Sequence, residues 1–416
     1  MTFVAVGLTM LMMIMVADPA AAAPGGLDPS FSGNGWVATD FGPRYDVAFD
    51  VAIQADGKLV AAGRSGPRFA VVRYLPGGGL DPSFSGDGKL RTNLTSGVDV
   101  AYAVAVQANG KIVVAGQAAG ARGRIAIVRY NPNGSLDGTF GGGDGKVMTN
   151  VTRGNDYAWA IAIQPLDQKI VIAGGAGREG GRFLVARYNP SGARDGTFGG
   201  GDGRVITNFS SGYDYVDALA IQPDGKIVAA GTMRYFASEP RFALARYRAN
   251  GSLDGTFGGG DGKVITNFPG DYARAAGVAI QVDGKIVAAG QDDNDTAIAR
   301  YLSNGALDVS FSGDGRRVVN LTRGGDYADE VMVQPDGKIV VAGTGNYYLQ
   351  DTKFALARVD VAGADDDSFS GDGRVTANIT PGPDWATGAL LQPTDGKIVV
   401  VGRAGARFLA ARFLVA

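Results

Sequence analysis

With no histidine and no cysteine among its 416 residues, this sequence has few side chains with which to do chemistry. Thiolate nucleophiles, disulfides, Cys/His zinc sites, His-ligated haem and Ser-His-Asp triads are all excluded. Glutamate occurs only at Glu179, Glu239 and Glu330, so proton transfer would fall to Asp, Lys or Tyr. One acidic group stands out, Asp329-Glu330, with Asp217 and Asp50 on equivalent points of a repeated strand and Arg274 near them in order. Two carboxyls at a channel mouth are the working parts of a glycosidase. They serve equally well as solvated rim charges, and that reading is preferred. No catalytic residue is assigned, the chain reads more as a binder than as an enzyme, and no cofactor or metal is expected.

The most regular charged pattern is an Arg followed eight residues later by an Asp: Arg73 and Asp81, Arg129 and Asp137, Arg187 and Asp195, Arg246 and Asp254, Arg300 and Asp308, Arg358 and Asp366. A guanidinium offers a planar fork to a carboxylate, and a fixed spacing across a turn suits such a pair. Repetition argues for structure over ligand binding. The segment Asn131 to Asp137 faintly resembles a calcium loop, but its first two ligand positions are Asn, and Leu75 to Asp81 offers almost no ligands at all. A turn is the expectation there. Sequons at Asn93, Asn150, Asn208, Asn320 and Asn378 fall in register; their Asn and Thr/Ser side chains are expected to bond the backbone of the following turn.

These residues are carried by a repeat. The run around D-G-K-[IL]-V occurs seven times, with its lysine at Lys58, Lys111, Lys169, Lys226, Lys285, Lys338 and Lys397. No stretch is left over for a second domain. Glycine, at 66 residues, and 45% apolar content suit many short strands joined by tight turns. Each copy reads as four strands, A (VAIQ), B (KIVVAG), C (FALARY) and D (GKVxTN). Asp-Gly between A and B, as at Asp56-Gly57, predicts a two-residue type I′ hairpin, distorted in the third copy where Asp167-Gln168 stands instead. The residue two before the Gln that ends strand A is Ala at Ala52, Ala105, Ala162, Ala220 and Ala279, flanked by large residues. Small side chains on one face suit the crowded axis of radially arranged sheets. The expectation is an all-β, seven-bladed propeller of four-stranded antiparallel blades, with strand A innermost.

The chain opens with a D strand, Gly35 to Phe41, and ends with a C strand, Phe408 to Phe413. The orphan D strand must complete the last blade, which pairs Arg412 with Asp28 and removes open sheet edges. The motifs L-D-x-[ST]-F-[SG]-G-[GD]-G-K, V-A-[IV]-Q-x-[DN]-G-K-I-V-V-A-G and R-[FI]-A-x-[AV]-R-Y resemble the delta-60 repeat family of bacterial β-propellers over residues 25 to 416. The resemblance implies an exported or cell-envelope propeller with no activity or catalytic residues to carry over. Val359 departs from it in the sixth copy, replacing the Tyr of A-R-Y.

Residues 1 to 17 are uncharged and apolar, and Ala20 to Ala23 follow closely. This predicts a secretory signal peptide over residues 1–22, cleaved after Ala22, ahead of a propeller over 23–416. The usual basic start is missing, and a membrane anchor is the competing reading, though a span needs ~20 apolar residues. The expected location is secreted or cell-envelope, with no membrane span after cleavage. A net charge of −2 gives no footprint for nucleic acid. The B-to-C and D-to-A loops share the variable face and carry the candidate contacts for a protein or glycan partner: Tyr235, Phe236, Tyr347, Tyr348, Trp159, Tyr215, Tyr327 and Trp385. A monomer is expected.

Overall fold

The computed structural model describes residues 23–42, 44–119, 122–177, 181–234, 239–349 and 351–415. The leader assigned to 1–22 and the loop aromatics Tyr235 and Phe236 lie outside the described residues. Seven antiparallel sheets form a closed propeller. In the first blade Asp46–Ile53, Leu59–Ser65, Arg68–Tyr74 and Lys89–Thr92 pair in that order from the axis outward. The second and third strands are buried on both faces, because each blade is covered by a neighbour on either side, and this is why they read as continuous apolar runs.

The core is divided among the blade interfaces. Between the first two blades Val60, Phe69 and Val71 meet Ala101, Val104 and Val114. The same arrangement recurs between the seventh and first, where Val399, Val401 and Phe408 meet Val51, Ala61 and Val72. Small and large residues of strand A separate as the pattern requires: Ala52 lies against the second blade, and Val51 and Ile53 against the seventh.

The last blade is completed from the other end of the chain. Trp36–Thr39 pairs with Arg407–Phe413, Trp36 opposite Ala411 and Thr39 opposite Phe408, outside Ile398–Ala404 and Asp384–Leu391.

The hairpins between strands A and B differ from the two-residue turn expected. Gln54 N–H donates to Lys58 O at 2.8 Å and Gly57 N–H to Gln54 O at 2.9 Å, so three residues lie between the paired ends. Only Gly57 takes a positive φ, of 79°. This is a type I turn followed by a left-handed residue, which needs one glycine where a type I′ turn needs two permissive positions. The third hairpin holds one residue more, closing from Gln164 N–H to Lys169 O at 2.9 Å, and Gln168 itself adopts φ 57°. The seventh, closing from Gln392 N–H to Lys397 O, is equally long.

Each of the seven arginines joins several partners, and its Nη2 donates to a Ser or Thr hydroxyl, as Arg73 does to Ser83 at 3.0 Å. Its Nε faces the Asp eight residues on, or Asp28 in the case of Arg412, at 2.6 to 2.9 Å, as in Arg129–Asp137 and Arg246–Asp254, and its plane lies over the Phe of L-D-x-x-F, 4.8 Å from the ring centre for Arg73 and Phe84. Its Nη1 reaches into the next blade: Arg187 donates to Ala249 O at 2.5 Å, Arg300 to Val361 O at 2.6 Å and Arg358 to Val415 O at 2.8 Å. The lysine of D-G-K adds a second cation to the same carboxylate, as in Lys111–Asp137 at 2.8 Å and Lys338–Asp366 at 2.9 Å. The eight-residue spacing therefore builds a staple between blades, a role the spacing alone did not reveal. Asn131 to Asp137 is a plain turn, with Gly134 N–H donating to Asn131 O at 2.9 Å.

Candidate functional site

The variable face is laced by backbone bonds from a residue at or just before the start of each inner strand to the B-to-C loop of the preceding blade. Asp99 N–H donates to Pro67 O at 3.0 Å, Asp326 N–H to Asn294 O at 2.7 Å and Asp384 N–H to Thr352 O at 2.9 Å. The Asp side chains at these positions are buried and hold the D-to-A loop: Asp99 accepts from Leu94 N–H at 2.8 Å, Thr95 N–H at 3.0 Å and Thr95 Oγ1 at 2.6 Å. Thr152, Ser210 and Thr380 repeat that bond to Asp156, Asp214 and Asp384 at 2.7, 2.8 and 2.7 Å. The sequon hydroxyl therefore serves the turn, with Gly97 N–H donating to Thr95 Oγ1 at 3.2 Å. The sequon asparagines are exposed and vary: Asn320 donates to Asp295 at 2.7 Å, whereas the Asn378 amide donates to Thr380 O of the following turn at 2.7 Å. The fifth blade also departs, since Asp271 is exposed and Asp292 takes over, accepting from Gly270 N–H at 3.2 Å.

Four of the candidate aromatics converge across the sixth and seventh blades. The rings of Tyr327 and Tyr347 are 4.9 Å apart, Tyr347 and Tyr348 5.2 Å, and Tyr347 and Trp385 5.2 Å, all edge-to-face. Tyr348 is 64% exposed. Its ring lies against Gly325, where a β-carbon would come within 2.5 Å of Cδ2 and push the ring from its present position. Arg403 caps the group 4.7 Å from the Trp385 ring and 5.2 Å from Tyr45. Two other candidates form a separate pair: Trp159 and Tyr215 meet at 5.6 Å, with Tyr157 stacked on Trp159 at 5.0 Å.

Below these rings the inner strands carry a bulge at the same level. Register shifts fall between Ala48 and Asp50, Val216 and Ala218, and Ala328 and Glu330, leaving Phe49, Asp217 and Asp329 as extra residues. A bulge re-aims side chains and bends a strand. Asp217 and Asp329 are therefore equivalents at one level, and Asp50 and Glu330 at the next. The sequence placed all four on one set of positions and missed the second level, for which a period-two pattern carries no signal.

All four line a cavity of about 650 Å³ on the axis, together with Tyr102, Trp159, Tyr215 and Arg274. Arg274 grips Asp217 with a fork, Nη2 to Oδ1 at 2.8 Å and Nε to Oδ2 at 3.3 Å, and its guanidinium stands 5.9 Å from the Tyr215 ring centre. Asp50 accepts from Val104 N–H of the next blade at 2.8 Å and from Val51 N–H at 2.7 Å. Glu330 accepts from Val331 N–H at 3.2 Å, while Asp329 Oδ2 has no hydrogen-bond partner among the described residues. Burial pushes Asp50 up to about 6 against the pull of those two amides. It pushes Asp329 up to about 7 against Arg274, helped by Asp217, and Glu330 up to about 8, helped by Asp50. Asp217 and, against it, burial act on Arg274, with the net effect of holding it firmly charged.

Six segments of the chain, residues 54–84, 107–140, 167–198, 222–257, 281–311 and 334–369, match a family described as "Domain of unknown function (DUF5122) beta-propeller". These repeats are those of a β-propeller family. Each matched segment ends at the Phe of L-D-x-x-F, and the seventh copy is split between Gln392 to Phe413 and Leu27 to Phe31, so a linear match finds six where the ring has seven. No curated protein matches the chain. Solved structures with the same fold include a streptogramin B lyase at 10% identity and TM-score 0.53, covering 90% of this chain and 96% of that one. A catalytically inactive histidine-to-alanine virginiamycin B lyase from Staphylococcus aureus with Quinupristin matches at 9% identity and TM-score 0.56, covering 91% and 99%. YCF48 bound to D1 peptide matches at 12% and 0.52, covering 96% and 100%. At such identities the likeness concerns the fold. Among the described residues no helix is long and apolar enough to cross a membrane.

Proposed function

We propose that this chain is a non-catalytic recognition or scaffold module that binds a protein or glycan through its loop face. The observation that carries this reading is the convergence of Tyr327, Tyr347, Tyr348 and Trp385 under Arg403 on that face. Aromatics with a polar handle supply most of the energy of many interfaces, and the laced loops hold them without demands on the core. The proposal includes export by the 1–22 leader, a secreted or cell-envelope location, membership of the delta-60 group and a monomeric state. YCF48, described with a bound peptide, has the same fold and makes a protein partner a natural first candidate. The test is glycan-array and protein-partner screening followed by titration of a purified hit. Tyr347→Ala with Tyr348→Ala should weaken that binding by at least ~10-fold, about 1.4 kcal/mol, at unchanged melting temperature; unchanged affinity would overturn the reading.

A second reading, a polysaccharide-active hydrolase or lyase, draws on Asp329 and Glu330, which retain protons near neutral pH as general acids must. The lyase neighbour is described as inactive once a histidine is replaced, and this chain has no histidine to play such a part. Asp217→Asn with Asp329→Asn would abolish turnover in an enzyme and leave a loop-face binder intact.

A further inference from the structure

We propose that the axial cavity is a second binding determinant that takes a cationic side chain, the ammonium or guanidinium of a basic peptide segment, against Asp329, Glu330 and Asp50. The inference deepens the loop-face reading and rests on it for the direction of approach. Four carboxyls and one guanidinium line the cavity, and the guanidinium is already committed to Asp217 at 2.8 Å. What remains is an acidic floor with Asp329 Oδ2 buried and unpartnered. At the level of Asp329 the lining is aromatic on the neighbouring blades, with Phe49 and Tyr102 in the bulge positions of the first two blades, 5.4 Å apart, and Trp159 and Tyr215 5.6 Å apart, and ring faces attract cations.

The molecule contains its own example of the recognition proposed. Arg274 is held by one carboxylate of the bulge level and by the Tyr215 ring. Asp329 stands at the equivalent level two blades from Asp217, with Tyr327 in the position that Tyr215 occupies beside Asp217. The second half of this arrangement has the acid and the ring but no direct ion pair among the described residues, since Arg274 acts on Asp329 only through space while it grips Asp217. A bare divalent ion suits the site less well, because the carboxyls lie on two levels and no group of three among the described residues converges as metal ligands do. An anion would meet the acids, and the cavity, at about 650 Å³, is within the size range of organic-ligand sites, ~300–1,000 Å³.

Charge decides the test. The titratable and charged groups facing the floor are Asp50, Asp217, Arg274, Asp329, Glu330, Tyr102 and Tyr215, with Tyr327 beside Asp329. A bound cation favours the ionised carboxyls, so binding must expel protons at neutral pH and tighten as pH rises. The experiment is calorimetric titration of the purified chain with acetylated trilysine amide, at about pH 6 and about pH 9 and in two buffers of different ionisation enthalpy. Binding at least ~10-fold tighter at the higher pH, with proton release near neutrality, is expected. The isosteric pair Asp329→Asn and Glu330→Gln should remove most of the pH dependence and of the release, leaving only the share of Asp50, while Tyr347→Ala leaves both in place. Spermidine run in parallel distinguishes a free polyamine from a peptide, and tighter binding of spermidine would overturn the peptide assignment. No binding of trilysine to the wild-type chain, or binding indifferent to pH and to the two substitutions, would overturn the site while leaving the loop-face reading to its own Tyr347 and Tyr348 variants.

Discussion

Arg412 Nε donates to Asp28 Oδ2 at 2.7 Å across 384 positions of sequence. The same guanidinium donates to Pro76 O of the first blade at 2.6 Å and lies over Phe31 at 4.8 Å from its ring centre, and Lys397 approaches Asp28 at 2.9 Å. One residue near the C-terminus thus ties the N-terminal segment to the last blade and the last blade to the first. Deleting residues 25–41 should strip the outer strand from Arg407–Phe413, strand Arg412 in the interior and lower stability by at least ~3–5 kcal/mol, the scale for breaking a buried ion pair. Chemical denaturation of the deleted and intact chains checks this. A deletion that unfolds no more easily would show that closure contributes little.

Asp28→Asn isolates the charge from the strand. It keeps the β pairing of Trp36–Thr39 and removes the partner of a buried guanidinium, so a loss of ~2–4 kcal/mol is expected with the fold intact. Circular dichroism of the native state and a denaturant midpoint measure the two separately.

A buried Tyr–Thr bond crosses several blade interfaces: Tyr74 to Thr39, Tyr130 to Thr92, Tyr247 to Thr207 and Tyr301 to Thr266, each 2.7 Å. Where the fifth and sixth blades meet, both partners are lost together, Val359 facing Val319, and Phe413 faces Ala377 at the next interface. An unpaired buried hydroxyl costs ~1–3 kcal/mol whereas a fully apolar pair can be neutral. Tyr301→Phe and Thr266→Val should each destabilise by that amount, and the double variant by much less than their sum. A double-mutant cycle in urea tests it, and additivity would show that the bond carries no coupling.

The ring was legible because its signals repeat. The D-G-K run, the alanines of strand A and the orphan D strand before Phe41 each follow from backbone geometry that every blade must satisfy. What stayed hidden was what repetition does not encode. The bulge at Phe49, Asp217 and Asp329 adds a residue without changing composition, so the acids were read on one level and not two. The reach of Arg187 to Ala249 O ends on a backbone carbonyl, which no side-chain pattern can announce. The loop aromatics were nameable from their loops, but that Tyr347 touches Trp385 depends on a neighbouring blade, and that Tyr348 lies beside it depends on the room left at Gly325.

Acid should unfold the ring through its staples. Burial raises the affinity of Asp28 for a proton, yet the Ser30 hydroxyl and amide, Lys397 and Arg412 more than offset this and hold it at about 2; Asp81, Asp254 and Asp366 are held at about 2 by equivalent partners. The folded state thus binds fewer protons than the unfolded one between about pH 4 and 2, and stability falls as pH drops through that window. The melting temperature should be flat above about pH 5 from this source and fall steeply below about pH 4. A midpoint unaffected down to about pH 2 would show that these pairs contribute nothing.

The channel acids shift the other way, and their signature lies at the opposite end of the pH scale. Asp50, Asp329 and Glu330 are pushed up to about 6, 7 and 8, chiefly by burial. In the folded state they keep protons that the unfolded chain has already released, so their contribution is complete below the ordinary carboxyl range and is lost as pH rises through those values. Between about pH 4 and 8 the stability should therefore decline, superimposed on the plateau set by the staples. Asp329→Asn with Glu330→Gln cannot ionise and should shrink that decline to the share of Asp50, leaving the variant more stable than the parent at about pH 9 by roughly 1–3 kcal/mol. Denaturant melts of both chains from about pH 5 to 9 decide the matter. Parallel pH profiles would mean that water entering the cavity of about 650 Å³ already solvates the two carboxylates.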